Sequence, residues 1–182
     1  MNEGIVIATS PGRECWAFNC AKTLQRPYVI VSTWGYELGK IKWAYDNTNW
    51  DRFVFLQDSV EITDNSIFDR IWDTPGSICL HHEARHMSCY LGVYERKILD
   101  KIDIPIVTDK ISAVTYEQHW VEPYLNAVEE ITCFDTDGKF GGVVWKLDRE
   151  NLVYTNSFLV KYRGDWSQRP IEGNDPEDRK LK

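Results

Sequence analysis

Short apolar runs alternate with helical patterns along the first half of the chain. Residues 4–8, 28–32, 53–56 and 77–80 are apolar runs of strand length. Apolar residues recur at helical spacing over residues 13–25 and 64–72, with a shorter helix expected near 41–45. A strand, a helix and a strand within about thirty residues form one βαβ unit, in which the strands are parallel by default.

The second half has a different pattern. Residues 93–102 and 109–128 are predicted to be helices, and Pro123 is expected to end or kink the second one. Residues 141–147 and 152–160 are predicted to pair as two late strands. The sequence thus predicts one α/β domain over residues 1–164, with a mostly parallel sheet flanked by helices and a short late β pair. Residues 165–182, rich in Pro, Asn, Gly and charges, are predicted to be a polar tail or arm.

Composition narrows the class of protein. Hydrophobic residues make up 43% of the chain, which excludes wholesale disorder. The formal net charge of -7 disfavours general nucleic-acid binding, although a local basic groove is compatible with it. The five scattered cysteines do not suggest a disulfide framework, and the N-terminus shows neither a signal peptide nor a membrane span. We therefore expect a cytoplasmic protein, and the sequence leaves its oligomeric state open.

Polar residues follow each of the first three predicted strands. Thr9, Ser10 and Arg13 follow the first, Thr33 and Trp34 follow the second, and Asp58 and Ser59 follow the third. The carboxyl ends of parallel strands share one edge of a sheet, which is where open α/β sheets bind ligands. These residues are therefore candidates for a binding site. Each also has a plainer explanation, because Asp and Ser are common turn formers and a Trp can belong to the core.

The segments IVIATSPGR, YVIVSTW and FVFLQDSVEI make the first half resemble the nucleotide-binding half of a GT-A type glycosyltransferase, in particular its small members. The later segments YLGVYERKILDKIDIPIV and YEQHW are also similar, and the resemblance covers roughly the first 125 residues. In that family the third strand ends in an acidic motif such as LEDDV or LDxDV. Here the text is LQDSV, so Asp58 alone keeps its carboxylate.

The resemblance implies a UDP- or GDP-sugar donor and a hydroxyl acceptor on a glycan, a protein or a hydroxylated base in DNA. A flipped-out base would need a local basic groove. The implied donor-binding residues are Thr9, Ser10, Arg13, Thr33, Trp34, Asp58 and Ser59. It also implies Mn²⁺ or Mg²⁺ on the diphosphate, held by Asp58 with help from a histidine such as His86. An inverting transfer needs a carboxylate base, for which Glu117 and Asp109 are the candidates. Retention or inversion stays open.

Two other classes of protein remain as alternatives. His82, Glu83 and His86 form an H-E-x-x-H pattern, which on a helix binds zinc and activates water in metallohydrolases. Arg85 within the pattern and Gly92 after it weigh against that helix, and a histidine-rich loop is the plainer explanation. The second alternative is a non-catalytic module that binds a sugar or a nucleotide, which the incomplete acidic motif allows.

Overall fold

The computed structural model describes residues 1–79, 82–83, 86–87, 91–109, 111–113, 115, 121–129, 131–133, 146–148, 153–155 and 157–162. The labelled helices are α1 (Glu14–Lys22), α2 (Tyr36–Asn47), α3 (Ser66–Asp73), α4 (Arg96–Leu99) and α5 (Val121–Ala127). The strands are β1 (Glu3–Thr9), β2 (Val29–Ser32), β3 (Arg52–Gln57), β4 (Val60–Ile62), β5 (Ser77–Cys79), β6 (His82–Glu83), β7 (His86–Met87), β8 (Leu91–Glu95), β9 (Ile131–Cys133), β10 (Lys146–Asp148), β11 (Val153–Thr155) and β12 (Leu159–Tyr162).

The central sheet has six strands in the order β2-β1-β3-β8-β5-β9. Strand β1 pairs in parallel with both β2 and β3, and β5 pairs in parallel with β9. Strand β8 is antiparallel to its neighbours β3 and β5. The predicted α/β class with a mostly parallel sheet is confirmed.

Both faces of this sheet are covered by helices, which explains why its strands are continuous apolar runs. On β1, Ile5 and Ile7 pack against α1 and α3, whereas Val6 and Ala8 pack against α2 and α4 on the opposite face. Strand side chains alternate between the two faces, so a strand buried on both sides needs an apolar residue at nearly every position. In the described part of the chain, no helix has the length and apolarity needed to cross a bilayer.

The predicted late β pair is present but belongs to a larger sheet. Strands β10 and β11 pair antiparallel, and β12 and β4 extend them to four strands in the order β10-β11-β12-β4. Strand β4 follows β3 after a two-residue turn, and it pairs with β12 from the end of the described chain. This pairing brings the C-terminal part of the fold next to Asp58 and Ser59.

The prediction of a helix over residues 93–102 is wrong. Leu91–Glu95 is strand β8, and only Arg96–Leu99 is helical. Val93 and Tyr94 lie on opposite faces of the sheet, in two separate core clusters. A short apolar run that is buried on both sides has no period of its own, so helix and strand cannot be separated by spacing there.

Two helix boundaries also differ from the prediction. Helix α2 spans Tyr36–Asn47 and is much longer than the short helix expected near 41–45. Pro123 lies inside α5 and does not end it.

Candidate functional site

The carboxyl ends of β1, β2 and β3 meet around Asp58. Thr9 ends β1, and its hydroxyl donates to Asp58 Oδ2 at 2.8 Å. The Asp58 backbone N–H donates to the Ala8 carbonyl at 2.9 Å, which continues the pairing of β3 with β1 beyond the last strand residue. The side chain is thereby fixed and only 7% of Asp58 is exposed.

Arg13 supplies a cation to this carboxylate. It precedes α1, and its Nη2 donates to Asp58 Oδ1 at 3.3 Å. Its guanidinium also lies over the ring of Trp16, 5.9 Å from the centroid. Burial raises the pKa of Asp58, while Arg13 and the Thr9 hydroxyl act in the opposite direction.

Lys40 is a second cation at the site, and sequence reasoning missed it. Helix α2 carries it beneath the turn after β1, and its ammonium donates to Ser10 Oγ at 3.4 Å. Only 4% of Lys40 is exposed, and burial lowers its pKa against the pull of Glu37 and Asp58. The helix predicted near residues 41–45 did not include Lys40, and lysines are normally exposed, so no pattern in the sequence indicated a buried ammonium here.

Lys161 is a third cation, and it comes from the second sheet. It pairs with Val60 in the β12–β4 register, which places its ammonium over the turn after β3. There it donates to Gln57 Oε1 at 2.8 Å and to Ser59 Oγ. Gln57 in turn donates to Glu37 Oε1 at 2.6 Å, so the side chains around Asp58 form a connected polar network.

Two adjoining cavities open at this edge of the sheet. The smaller has a volume of about 210 Å³ and is lined by Ala8, Thr9, Ser10, Arg13, Glu37, Lys40, Gln57, Asp58 and Ser59. The larger is a cleft of about 850 Å³ whose lining includes Thr33, Trp34, Trp43 and Ile106. Ser10, Arg13, Glu37 and Lys40 line both cavities, so a polar pocket with charges of both signs continues into an aromatic cleft.

The turn between β2 and α2 shapes the cleft. Gly35 and Tyr36 both have positive φ, 92° and 54° respectively, and α2 begins directly after Gly35. Gly39 lies one helical turn on, where an added Cβ would come within 2.4 Å of the Trp34 carbonyl oxygen. This close approach holds Trp34 at the mouth of the cleft, where 77% of its surface is exposed.

The structure brings together all seven of the predicted donor-binding residues. The small pocket is lined by Thr9, Ser10, Arg13, Asp58 and Ser59, and the cleft by Ser10, Arg13, Thr33 and Trp34. Lys40, Glu37 and Gln57 also line the small pocket, and Lys161 contacts its lining residues Gln57 and Ser59.

Of the two predicted catalytic carboxylates, the structure describes only Asp109. Asp109 is exposed and accepts hydrogen bonds from the backbone N–H and the hydroxyl of Ser112, at 2.9 and 2.6 Å. These contacts are those of a helix cap, and they lower the pKa of Asp109. Its neighbour Thr108 lines the cleft. Glu117 lies outside the described residues, so its role as a base stays a prediction.

The donor set around Asp58 does not suit a divalent cation. Both oxygens of Asp58 already accept a hydrogen bond, one of them from a guanidinium. Mg²⁺ and Mn²⁺ favour sites with several oxygen ligands and little positive charge nearby. Among the described residues no group of three His, Cys, Asp or Glu side chains could hold a metal ion. The side chain of His86 lies outside the described residues.

The H-E-x-x-H segment does not have the backbone that the zinc alternative requires. His82 pairs with Met87 and Glu83 with His86 in a small antiparallel ladder between β6 and β7. A zinc-binding helix would place the two histidines one turn apart on one face, and strand pairing gives no such face. The described part of this segment therefore gives the metallohydrolase alternative no support.

Comparison with known proteins identifies the fold. No protein-family model matches the chain, and no curated protein matches it significantly. The chain is similar in structure to the catalytic domain of Drosophila β1,4-galactosyltransferase 7, with a TM-score of 0.56, 6% identity, and coverage of 98% of this chain and 78% of that one. It is similar to an active-site mutant of LgtC, with a TM-score of 0.52, 12% identity, and coverage of 98% and 94%. It is also similar to TarS of S. aureus, with a TM-score of 0.54, 8% identity, and coverage of 75% and 59%.

These likenesses confirm that the fold is the GT-A fold of glycosyltransferases. At such low identity they define the fold alone. What the site does has to come from its own residues.

Proposed function

We propose that this protein is a glycosyltransferase that takes a sugar from a nucleotide-sugar donor and passes it to a hydroxyl acceptor. The observation that carries the proposal is the continuity of the two cavities at the carboxyl edge of β1, β2 and β3. A nucleotide has an aromatic base at one end and a charged diphosphate at the other. An aromatic cleft that leads into a pocket lined by Arg13 and Lys40 is complementary to that shape and charge.

The nucleoside would occupy the larger cleft. The exposed indole of Trp34 offers a face on which a base can stack, and Ile106 lies across the same cleft. Stacking requires no particular base, so this contact fits UDP- and GDP-sugars equally well.

The diphosphate would occupy the smaller pocket. Arg13 can donate to phosphate while it stays paired with Asp58, because a guanidinium has five N–H donors. The oxygens of Asp58 each have a second lone pair that can accept a ribose hydroxyl. In this arrangement Asp58 orients Arg13 and contacts the ribose.

The chemistry is a displacement at the anomeric carbon. The bond from that carbon to the diphosphate oxygen breaks, a bond to the acceptor oxygen forms, and the acceptor proton passes to a carboxylate. The cations of the pocket would stabilise the charge that develops on the leaving diphosphate. Glu117 and Asp109 remain the predicted bases for an inverting course. The acceptor proposed from the sequence is a hydroxyl of a glycan, a protein or a hydroxylated DNA base.

Ligand-dependent unfolding tests the donor half of the proposal. At about 100 times the dissociation constant, a bound nucleotide-sugar should stabilise the protein by about 2.7 kcal/mol. We expect UDP- or GDP-sugars to raise the melting temperature and Asp58→Ala to remove the effect. Glu61→Ala is the matched control, since the Glu61 carboxylate lies three positions away and accepts from the Tyr162 hydroxyl instead.

A transfer assay with labelled donor then separates the enzyme from the binding module. Label on an acceptor, or release of free sugar by hydrolysis, supports a transferase. Donor binding without either product would favour the non-catalytic module. An unchanged melting temperature with every nucleotide-sugar would contradict the proposal.

A further inference from the structure

Basic side chains are concentrated at the small pocket, although the protein as a whole is acidic. Arg13 and Lys40 line the pocket together with the carboxylates of Glu37 and Asp58, and the described contacts of Lys161 place its ammonium directly behind Gln57 and Ser59, which also line it. The chain as a whole has a formal net charge of -7. A local positive centre in such a chain concentrates the field on one pocket and attracts anions to it.

Both lysines are held in place by burial, unlike surface lysines whose charge is solvated. Lys40 is 4% exposed and Lys161 is 8% exposed. Among the contacts of their ammonium groups are hydrogen bonds to the oxygens of Ser10, Gln57 and Ser59. Burying an ammonium group is costly, so the charge of Lys40 in the cavity wall, with that of Lys161 behind Gln57 and Ser59, favours an anion in that cavity.

The three cations in and behind the wall of the pocket belong to three different parts of the fold. Arg13 stands at the start of α1, Lys40 lies on α2, and Lys161 lies on β12. An anion in the cavity would therefore be surrounded from several sides. A diphosphate, with charge on several oxygens, suits this distribution better than a single carboxylate does.

A divalent cation and these lysines are alternative solutions to the same electrostatic problem. A metal ion neutralises a diphosphate when carboxylates hold it, and the usual acidic cluster is reduced here to Asp58. The same place contains ammonium groups, which would repel Mg²⁺ but neutralise phosphate directly.

Resting on the proposed function, we propose that Lys40 and Lys161, together with Arg13, bind the donor diphosphate in place of a divalent cation. The ligand class is a nucleoside diphosphate, free or attached to a sugar. The diphosphate leaves as an anion whose charge these side chains offset, so no metal ion is required for donor binding.

Calorimetry on the unmodified protein provides the main test, and it does not depend on any variant folding. UDP, GDP and inorganic pyrophosphate are titrated separately, first with a chelator and then with excess Mn²⁺ or Mg²⁺. We expect at least one nucleoside diphosphate to bind with the chelator present. Added metal should raise its affinity no more than about threefold, which is less than the tenfold change that 1.4 kcal/mol represents.

Variants then test the residues. Lys161→Gln and Lys40→Gln should each weaken binding of the same nucleotide by about tenfold or more, as expected for a charge-assisted hydrogen bond. Lys161→Arg should recover part of the affinity because it keeps the charge. Lys22→Gln is the matched control on an exposed lysine of α1 and should have no effect.

The outcomes separate the two proposals. Binding that requires Mn²⁺ or Mg²⁺, or that is unchanged in both lysine variants, overturns this inference and leaves the proposed function standing. Failure of every nucleoside diphosphate and nucleotide-sugar to bind, with or without metal, overturns the proposed function. Binding of pyrophosphate alone also counts against the proposed function, since it shows an anion site without a nucleoside site.

Discussion

Arg52 and Lys40 are both basic side chains that are almost wholly buried, and they lie at opposite edges of the central sheet. Arg52 begins β3, and its guanidinium donates to the carbonyl oxygens of Ile71, Trp72 and Thr74 at 3.2, 2.8 and 2.6 Å. It thereby caps the end of α3 and also pairs with Glu3. Lys40, at the other edge, has its ammonium beside a cavity.

The edge that contains Arg52, at which β1, β3 and β5 begin, contains a second buried network. The Tyr124 hydroxyl accepts the Glu95 backbone N–H at 3.0 Å and lies 2.9 Å from Ser77 Oγ, which donates to Glu95 Oε2. The hydrogen-bonding groups of Tyr124, Ser77 and Glu95 thus have partners within the protein. A buried polar group alone therefore does not indicate function. What distinguishes the carboxyl edge is that its charges line a cavity that protein atoms do not fill.

Replacing the two buried cations by methionine should give the largest contrast. Arg52→Met removes donors from four carbonyl groups, those of Ile71, Trp72, Thr74 and Gly76, and a partner from Glu3. We therefore expect a loss of about 3–5 kcal/mol in the free energy of unfolding. Lys40→Met removes an ammonium that burial already penalises, so its cost should stay below about 1 kcal/mol. Urea denaturation measures both values. An equal loss in the two variants would break the distinction between the edges.

Gly39→Ala should be the next largest effect, and it acts at the carboxyl edge. Alanine normally stabilises a helix interior, but here its Cβ would clash with the Trp34 carbonyl oxygen. We expect a loss of about 2 kcal/mol in stability by overpacking, together with weaker nucleotide binding. Calorimetry and urea denaturation check both expectations. The alternative outcome, a more stable protein with normal binding, would show that the turn does not position the site.

Trp34→Ala should change binding without changing stability. The side chain is 77% exposed, so the free energy of unfolding should stay within about 0.5 kcal/mol. Loss of a stacked base should weaken UDP or GDP binding by about 1–3 kcal/mol, and pyrophosphate binding should be unaffected. Trp34→Phe should recover part of the affinity. Equal weakening of pyrophosphate binding would contradict the separation of a nucleoside cleft from a phosphate pocket.

Tyr124→Phe is expected to have the smallest effect, confined to stability. Loss of the hydroxyl leaves the Glu95 N–H and Ser77 short of a partner, at a cost of about 1–2 kcal/mol at neutral pH. Burial raises the pKa of Tyr124, so the folded state disfavours the phenolate. The wild type should therefore lose stability as the pH rises above about 10, where an unfolded tyrosine ionises.

The difference between wild type and Tyr124→Phe should accordingly shrink at alkaline pH. Urea denaturation over a pH series measures it. Nucleotide affinity at neutral pH, compared between the wild type and Tyr124→Phe, is the control that should not change. A difference that is constant with pH would mean that the hydroxyl does not titrate in the way its burial implies.

Sequence alone determined strands β1, β2, β3 and β5, the first helix and the main edge of the site. Residues such as Ile5 to Ala8 and Phe53 to Leu56 form apolar runs because parallel strands covered on both faces require them. Since parallel strands end at the same edge, the order of strands along the chain is enough to group the turn residues after β1, β2 and β3. That order was sufficient to predict that Thr9, Arg13, Trp34 and Asp58 belong to one binding site.

Tertiary structure decided what the pattern could not express. The segment Leu91–Glu95 is a strand because β3 and β5 pair with it, although its spacing also fits a helix. Lys161 meets Ser59 from 102 positions away only because β12 pairs with β4. Such contacts depend on long-range pairing, which leaves no local signal in a single sequence. The composition of the pocket, with its three cations around one aspartate, was therefore set by the fold, whereas its location was set by the sequence.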